Sequence, residues 1–337
     1  MRVAILGCGA IGGAFLGYLS GRSEVIGIVK EYQKEPLTRE GLKIEGVRGT
    51  HNVKVNVQTV LTEPVDVAVI ATKIADLEAV LKENGPYLKD SFILTTQNGI
   101  AADYIVENYS HASRIITGIV MFGATFYPPD RVVHNFEGSL VVGSLFKNPR
   151  WQFDQIERIL SPVTRVVNEK NIRGAKYLKI FVNLNNCIPA VLGVSLQDAF
   201  SNLEIAECAI YVNREAYSVI EDAGIELVSL PGYPKERIQG LVTMPPKEAA
   251  VLFSKVMASL SEEPLYGSIL QSIRRGKPSE IDYINGEIVG LAEKSMSQAP
   301  LNKKMVELVH RVEKTNTFLS VEEFMKELTK VEEKSYG

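Results

Sequence analysis

Val3-Ala-Ile-Leu-Gly7-Cys-Gly9-Ala-Ile-Gly12-Gly-Ala-Phe-Leu-Gly-Tyr-Leu19 decides the fold of the amino-terminal half. A short apolar run, Val3 to Leu6, meets a G-x-G-x-x-G turn, and an apolar-periodic stretch from Ala10 to Leu19 follows. This is the pattern of a first strand, a glycine turn and a first helix. Each glycine has its own reason. Gly7 permits the tight turn, Gly9 removes a Cβ that would collide with a pyrophosphate, and Gly12 lets the helix pack close to the strand. The helix N-terminus then offers free N–H groups and a partial positive charge to phosphates. Gly7, Cys8, Gly9, Ala10, Ile11 and Gly12 are therefore the candidate dinucleotide-phosphate site. The alternative is a glycine-rich turn that holds no ligand.

The alternation continues outward from this turn. Strand-like runs recur at Glu24–Val29, Val65–Thr72, Ser91–Thr96 and Arg114–Val120, with shorter signals at Val132–His134, Ser139–Val142 and Val163–Val167. Ile74–Leu81 reads as a helix between two of them. Strands separated by helices imply βαβ units and a mostly parallel sheet. Beyond about residue 170, helical periodicity dominates, over 172–188, 202–223, 246–260, 280–297, 302–314 and 321–334. Ser320, with Glu323 three residues on, predicts a capping box. The expected fold is α/β followed by all-α. A Rossmann-type doubly wound sheet spans residues 1–168, and an all-helical domain spans 169–337. Two such domains make a cleft, a common location for a ligand.

Composition narrows the function. The 337 residues suit about two domains. With 45% apolar residues and a net charge of −3, the chain is neither disordered nor a general nucleic-acid binder. No apolar run approaches a membrane span, and Val3–Leu6 is too short for a secretory h-region. Cys8, Cys187 and Cys208 cannot all pair, so free thiols in a reducing cytoplasm are expected. The histidines, His51, His111, His134 and His310, form no zinc motif, and no serine-hydrolase elbow is present.

Two further features bear on chemistry. The second strand ends in Lys30, and a cation there accommodates the 2′-phosphate of NADP, whereas Glu31 directly after it would suit NAD. Lys30 as an ordinary solvated lysine is the alternative. In Tyr177-Leu-Lys-Ile-Phe-Val-Asn-Leu-Asn-Asn-Cys-Ile-Pro-Ala190, Lys179, Asn183 and Asn186 interrupt an apolar helix. At ~100° per residue, Asn183 falls about 40° to one side of Lys179 and Asn186 about 20° to the other. Such a stripe is either solvated or lines a polar site. Pro189 should kink or end this helix.

These residues together resemble the ketopantoate reductase (2-dehydropantoate 2-reductase) family. The resemblance runs in order through Gly7–Gly12, Lys73, Gln97-Asn98-Gly99, Asn171-Ile-Arg173, Lys179-x-x-x-Asn183, Ser268 and Ser279-Glu-Ile-Asp-Tyr-Ile-Asn-Gly286. It implies hydride transfer from NADPH to C2 of a 2-oxo acid held in the interdomain cleft. Lys179 then matches the general acid and Glu280 the active-site carboxylate that holds substrate or cofactor. Asn98, Asn183 and Ser268 match the substrate-positioning groups, with Asn186 on the same stripe. Lys73, Asn98 and the backbone near Ala124 match cofactor contacts. The resemblance also implies a homodimer. Without it, Glu280 reads as a solvated glutamate that favours a helix N-terminus.

The chain departs from the family in two places that touch substrate recognition. A second asparagine, one turn beyond Asn183, is here Cys187, and an asparagine three residues before Ser268 is here Leu265. Extra material lies around 226–260 and at the carboxy-terminus. The competing readings are a reductase of another 2-oxo acid, an opine-type or 3-hydroxy acid dehydrogenase, and an NADP-binding regulator without catalysis.

Overall fold

A computed structural model describes residues 1–22 and 24–336. Ser23 and Gly337, which fall inside the two expected domains, lie outside the described residues. The chain divides into two compact units, Met1–Ile172 and Arg173–Gly337.

In the first unit the elements run β1 (Arg2–Leu6), α1 (Ala10–Leu19), β2 (Glu24–Ile28), α2 (Glu31–Glu40), β3 (Leu42–Gly46), β4 (His51–Val53) and β5 (Asn56–Gln58). They continue with β6 (Val67–Ile70), α3 (Ile74–Leu88), β7 (Phe92–Thr95), α4 (Ala101–Glu107), β8 (Ile115–Val120), β9 (Gly123–Tyr127), β10 (Arg131–Phe136), β11 (Ser139–Gly143), α5 (Phe153–Leu160) and β12 (Arg165–Asn168). The main sheet has the order β12-β11-β8-β7-β6-β1-β2-β5. Its pairs are parallel except β8–β11. The chain moves outward from β1 to β2 and then returns to β6 on the other side of β1. That reversal makes the carboxyl ends of β1 and β6 a topological switch point, where open α/β sheets take their ligands.

After Arg2 at the start of β1, the central strands β1 and β6 are apolar. Val3, Ala4, Ile5, Leu6, Val67, Ala68, Val69 and Ile70 are all fully buried, as expected of parallel strands covered on both faces. A second sheet, β4-β3-β10-β9, was not expected from the sequence. It packs on α1, where Val132 of β10 meets Gly13 and Ile44 of β3 meets Gly17. Those helix glycines leave the room that the second sheet fills.

The second unit is helical: α6 (Ile172–Leu184, which begins at the last residue of the first unit), α7 (Cys187–Leu192), α8 (Leu196–Ser201), α9 (Leu203–Asp222), α10 (Lys235–Thr243), α11 (Pro246–Ala258), α12 (Ser268–Arg274), α13 (Asn285–Lys294), α14 (Pro300–Thr315) and α15 (Val321–Tyr336). The capping box forms as the sequence predicts. The Ser320 N–H donates to Glu323 at 2.8 Å, and the Glu323 N–H donates to the Ser320 hydroxyl oxygen at 3.2 Å.

Two helix expectations need correction. The helix over 172–188 is two helices, and the break falls at Asn185–Asn186, ahead of Pro189. A tight Asn186 N–H to Asn183 carbonyl bond of 3.0 Å closes it. The Asn185 amide leaves the helix surface to donate to Asn213 of α9 at 3.2 Å. The helix over 280–297 starts late. Ile281–Tyr283 form a single 3₁₀ turn, and α13 begins only at Asn285. Glu280 therefore precedes a 3₁₀ turn and not an α-helix.

Candidate functional site

The glycine turn sits at the switch point. Gly7 has φ +92°, and a Cβ on it would lie 2.6 Å from the Thr72 methyl, so glycine is needed there twice over. A Cβ on Gly12 would lie 1.9 Å from the Gly7 carbonyl oxygen. Gly9 differs: a Cβ there would meet nothing within 4 Å. Its missing side chain opens space that no protein atom uses. Beside that space, α1 has no side-chain cap, and its first bond runs from the Gly13 N–H to the Gly9 carbonyl at 2.8 Å. The N–H groups of Ala10, Ile11 and Gly12 are the unpaired donors of a helix start. The Thr72 hydroxyl oxygen, at the carboxyl end of β6, is shielded from solvent and has no partner among the described residues. Tight packing around Gly7 and Gly12, open space at Gly9, free donors and an orphaned hydroxyl together fit a dinucleotide pyrophosphate.

Cys8 serves this turn by being small. Its thiol packs toward Gly27 of β2 and donates weakly to the Ile5 carbonyl at 3.7 Å. Burial pushes its pKa up to about 12, which makes it inert. Its carbonyl accepts the Gln33 amide at 3.2 Å, which ties α2 to the turn.

Three of the other expected cofactor residues, Lys30, Lys73 and Asn98, line the same carboxyl edge of the sheet. Lys30 is the first residue after Val29 and starts α2, and Lys73 starts α3. Asn98 follows β7, where the Gln97 amide donates to the Ile70 and Thr72 carbonyls at 3.1 and 2.9 Å. Those bonds stitch the ends of β6 and β7 together, a role that the sequence reading did not give Gln97. Ala124 lies on β9 of the second sheet, paired with His134 and packed against the core that α1 shares. Lys30 does not stand alone. Its Nζ lies 3.2 Å from the Asp76 carboxylate on α3, and both side chains are exposed. Asp76 was missed because it is 46 residues away in sequence.

In the helical unit, Lys179 and Asn183 share a partly exposed stripe of α6, whose other residues are buried except Arg173 and Val182. The Lys179 ammonium has no hydrogen-bond or ion-pair partner among the described residues, and burial lowers its pKa from 10.5 to about 8. Asn186 lies in the turn after α6, with its side chain against Gly267, where a Cβ would stand 3.2 Å from it. Gly267 caps α12, whose first residue is Ser268, so Asn186 and Ser268 are neighbours.

A buried polar chain links α7, α13, α14 and α9. Asn285, which opens α13, hydrogen-bonds to Cys187 and donates to Asn302 at 3.1 Å. Asn302 donates to Glu215 at 2.8 Å, and Glu215 also accepts the Leu301 and Asn302 N–H groups, which caps α14. Burial leads in raising the Glu215 pKa, against these three bonds. Cys187 itself is fully buried, donates to the Leu184 carbonyl at 3.1 Å and has its pKa raised to about 12. Where the family pattern puts an asparagine, this chain therefore has a buried thiol. Lys176, three residues before Lys179, is 1% exposed, which no polarity pattern would have suggested for a lysine.

A doubly wound sheet with a dinucleotide turn, joined to a helical unit that presents a partly buried ammonium, defines a pyridine-nucleotide oxidoreductase of the two-unit kind. Profiles of known families narrow this. Residues 3–146 match "Ketopantoate reductase PanE/ApbA", and residues 171–313 match its C-terminal counterpart. The chain is similar to the 2-dehydropantoate 2-reductase of Pyrococcus abyssi, at 32% identity over 90% of this chain and 94% of that one. It is similar to that of Aquifex aeolicus at 28% identity over 94% and 98%. The chain belongs to the ketopantoate reductase family.

Solved structures agree on the fold. A PanE/ApbA family ketopantoate reductase from Ralstonia eutropha aligns with a TM-score of 0.77 at 22% identity, over 93% of this chain and 99% of that one. A D-mandelate dehydrogenase with NADH and anilino(oxo)acetate aligns at 0.80 and 24% identity, over 94% and 99%. No helix among the described residues is long and apolar enough to cross a membrane.

Proposed function

We propose that the chain reduces 2-dehydropantoate to pantoate with NADPH, as a cytoplasmic homodimer in pantothenate and coenzyme A synthesis. Beyond family membership, one observation carries the reading: the partner-free Lys179 ammonium with its pKa brought down to about 8. The Gly7–Gly12 turn, with Lys30, Lys73, Asn98, Ala124 and Glu280, would hold NADPH, which would supply the hydride. As C2 of the oxo acid is reduced, negative charge builds on its oxygen. Lys179 Nζ donates a hydrogen bond to that oxygen and then the proton. An ammonium with a pKa near 8 is mostly protonated at neutral pH and releases its proton more readily than an ordinary lysine. The amides of Asn98, Asn183 and Asn186 and the Ser268 hydroxyl orient the acid. Glu280 accepts a hydrogen bond from a substrate hydroxyl.

The test is NADPH oxidation on addition of ketopantoate and a panel of related 2-oxo acids. Ketopantoate should give the highest kcat/KM. A higher value for another acid would move the substrate, and Cys187 and Leu265 would be the positions to examine. Tight NADPH binding with no turnover of any 2-oxo acid would favour a regulator.

A further inference from the structure

The turn that carries Glu280 is held on both sides by one helix. On α14, His310 Nε2 lies 2.8 Å from Asp282 Oδ1, and His310 Nδ1 lies 2.8 Å from Glu313 Oε2. The other Glu313 oxygen accepts the Ser279 backbone N–H at 2.7 Å. Ser279 comes directly before Glu280, and Asp282 is two residues after it. A single chain of contacts, Ser279 to Glu313 to His310 to Asp282, thus ties the Ser279 backbone and the Asp282 side chain, on either side of Glu280, to α14.

The chain has a definite protonation state. An ionised carboxylate only accepts hydrogen bonds, so both ring nitrogens must carry a proton for both contacts to be favourable. Partial burial pulls the His310 pKa down, but the bonds to Asp282 and Glu313 outweigh it and leave the pKa raised. Glu313 is likewise pushed up by burial and brought below its usual value by Ser279 and His310. The charged groups that act on His310 are Asp282 of the turn and Glu313 of its own helix. The next residue, Arg311, is turned toward Glu327 on α15, at 3.4 Å. In the turn, Glu280 and Asp282 both act on the Tyr283 phenol, whose pKa burial raises first. No cluster of histidine, cysteine and carboxylates suited to a metal occurs among the described residues, so the His310 group is a hydrogen-bonded clamp.

We propose that His310 is a positioning residue for the reduction, whose doubly protonated ring bridges Asp282 and Glu313 and so holds the Glu280 carboxylate in place for the substrate. The inference rests on the reading of Glu280 given above. A neutral ring keeps only one N–H, so one carboxylate would face a lone pair. The clamp therefore loosens as pH rises through the His310 titration.

The test compares kcat/KM for ketopantoate in the wild type, His310→Leu, His310→Arg, Glu280→Ala and the His310→Leu/Glu280→Ala double variant. Measurements are made below and above the His310 titration, which histidine NMR signals locate. Below it, His310→Leu should lower kcat/KM about 10-fold, the scale of one partly exposed charge-assisted hydrogen bond. His310→Arg, which keeps a permanent cation with several donors, should stay within about twofold of the wild type and escape the alkaline loosening. In the Glu280→Ala background, His310→Leu should cost less than about twofold, because the group it positions is gone. Should His310→Leu not fold, His310→Gln makes the same comparison.

An equal loss with and without Glu280 would make His310 a merely structural residue and overturn the proposal. Wild-type activity in His310→Leu, beside a loss in Glu280→Ala, would overturn the proposal alone. An undiminished Glu280→Ala enzyme would remove the Glu280 reading and the proposal with it.

Discussion

Replacing Lys179 by Met should stabilise the helical unit while it removes the reduction. Methionine matches the length of the lysine stem and carries no charge to desolvate. The ammonium titrates near 10.5 in an unfolded chain and at about 8 in the fold. The folded state therefore binds this proton more weakly, and the penalty is fully present below pH 8. It shrinks as pH climbs from about 8 toward 10.5 and is gone above that. At ~1.4 kcal/mol per pKa unit the ceiling is about 3.5 kcal/mol. Lys179 is only partly buried, so screening reduces this to about 1–2 kcal/mol. For a unit of this size that corresponds to a rise of about 3–6 °C in Tm at pH 7. The assay is thermal unfolding of both proteins at neutral pH and again near the lysine range. The gain should be seen at neutral pH and fade as the wild type sheds its proton. A lower Tm for Lys179→Met, or a gain that does not change with pH, would refute the desolvation argument.

Two other perturbations separate folding from cofactor binding. Gly9→Ala should fold with a near-normal Tm and bind NADPH at least about 10-fold more weakly, because its Cβ enters space that no protein atom occupies. Gly12→Ala should instead lower Tm, since its Cβ would stand 1.9 Å from the Gly7 oxygen. Unfolding and fluorescence titration of both would show it, and equal behaviour of the two variants would contradict the roles given to the glycines. Lys30→Ala should weaken NADPH binding about 10-fold and leave NADH nearly unchanged, the scale of one charge-assisted phosphate contact. Equal losses for both nucleotides in the same titration would end the 2′-phosphate role.

The parts of the fold that sequence made legible are those where one local pattern has one outcome. Val3 to Leu6 ahead of three spaced glycines and an apolar-periodic stretch reads as a strand, a tight turn and a helix, and those are the elements that form. The partly exposed Lys179 and Asn183 stand out because their neighbours on α6 are apolar and buried. The second sheet stayed hidden because its strands are short and half polar. In Leu42-Lys-Ile-Glu-Gly46 only the alternate residues Leu42 and Ile44 face the core. Helix α2 carries Pro36 and buries only Gln33 and Leu37, so it shows no apolar stripe.

The break in the α6 region was assigned to Pro189 on backbone grounds. A proline has no N–H for the carbonyl four residues back, here that of Asn185, and the break falls there, at Asn185–Asn186. The 3₁₀ turn after Glu280 was read as helix because Ile281, Ile284 and Ile288 repeat at helical spacing, and all three are fully buried. The buried Lys176, the Lys30–Asp76 pair and the His310 clamp depend on contacts across the fold, which periodicity does not carry.

In the proposed function, the Lys179 ammonium delivers the proton that completes carbonyl reduction. The most direct measurement of that step is the pH dependence of kcat for ketopantoate reduction in the wild type and in Lys179→Ala, with NADPH saturating. The wild-type rate should hold at neutral pH and fall tenfold per pH unit above about 8, as the acid loses its proton. Lys179→Ala should be at least ~100-fold slower and lack that alkaline limb, with NADPH affinity retained. A Lys179→Ala enzyme with the wild-type kcat and the same alkaline fall would contradict the claim.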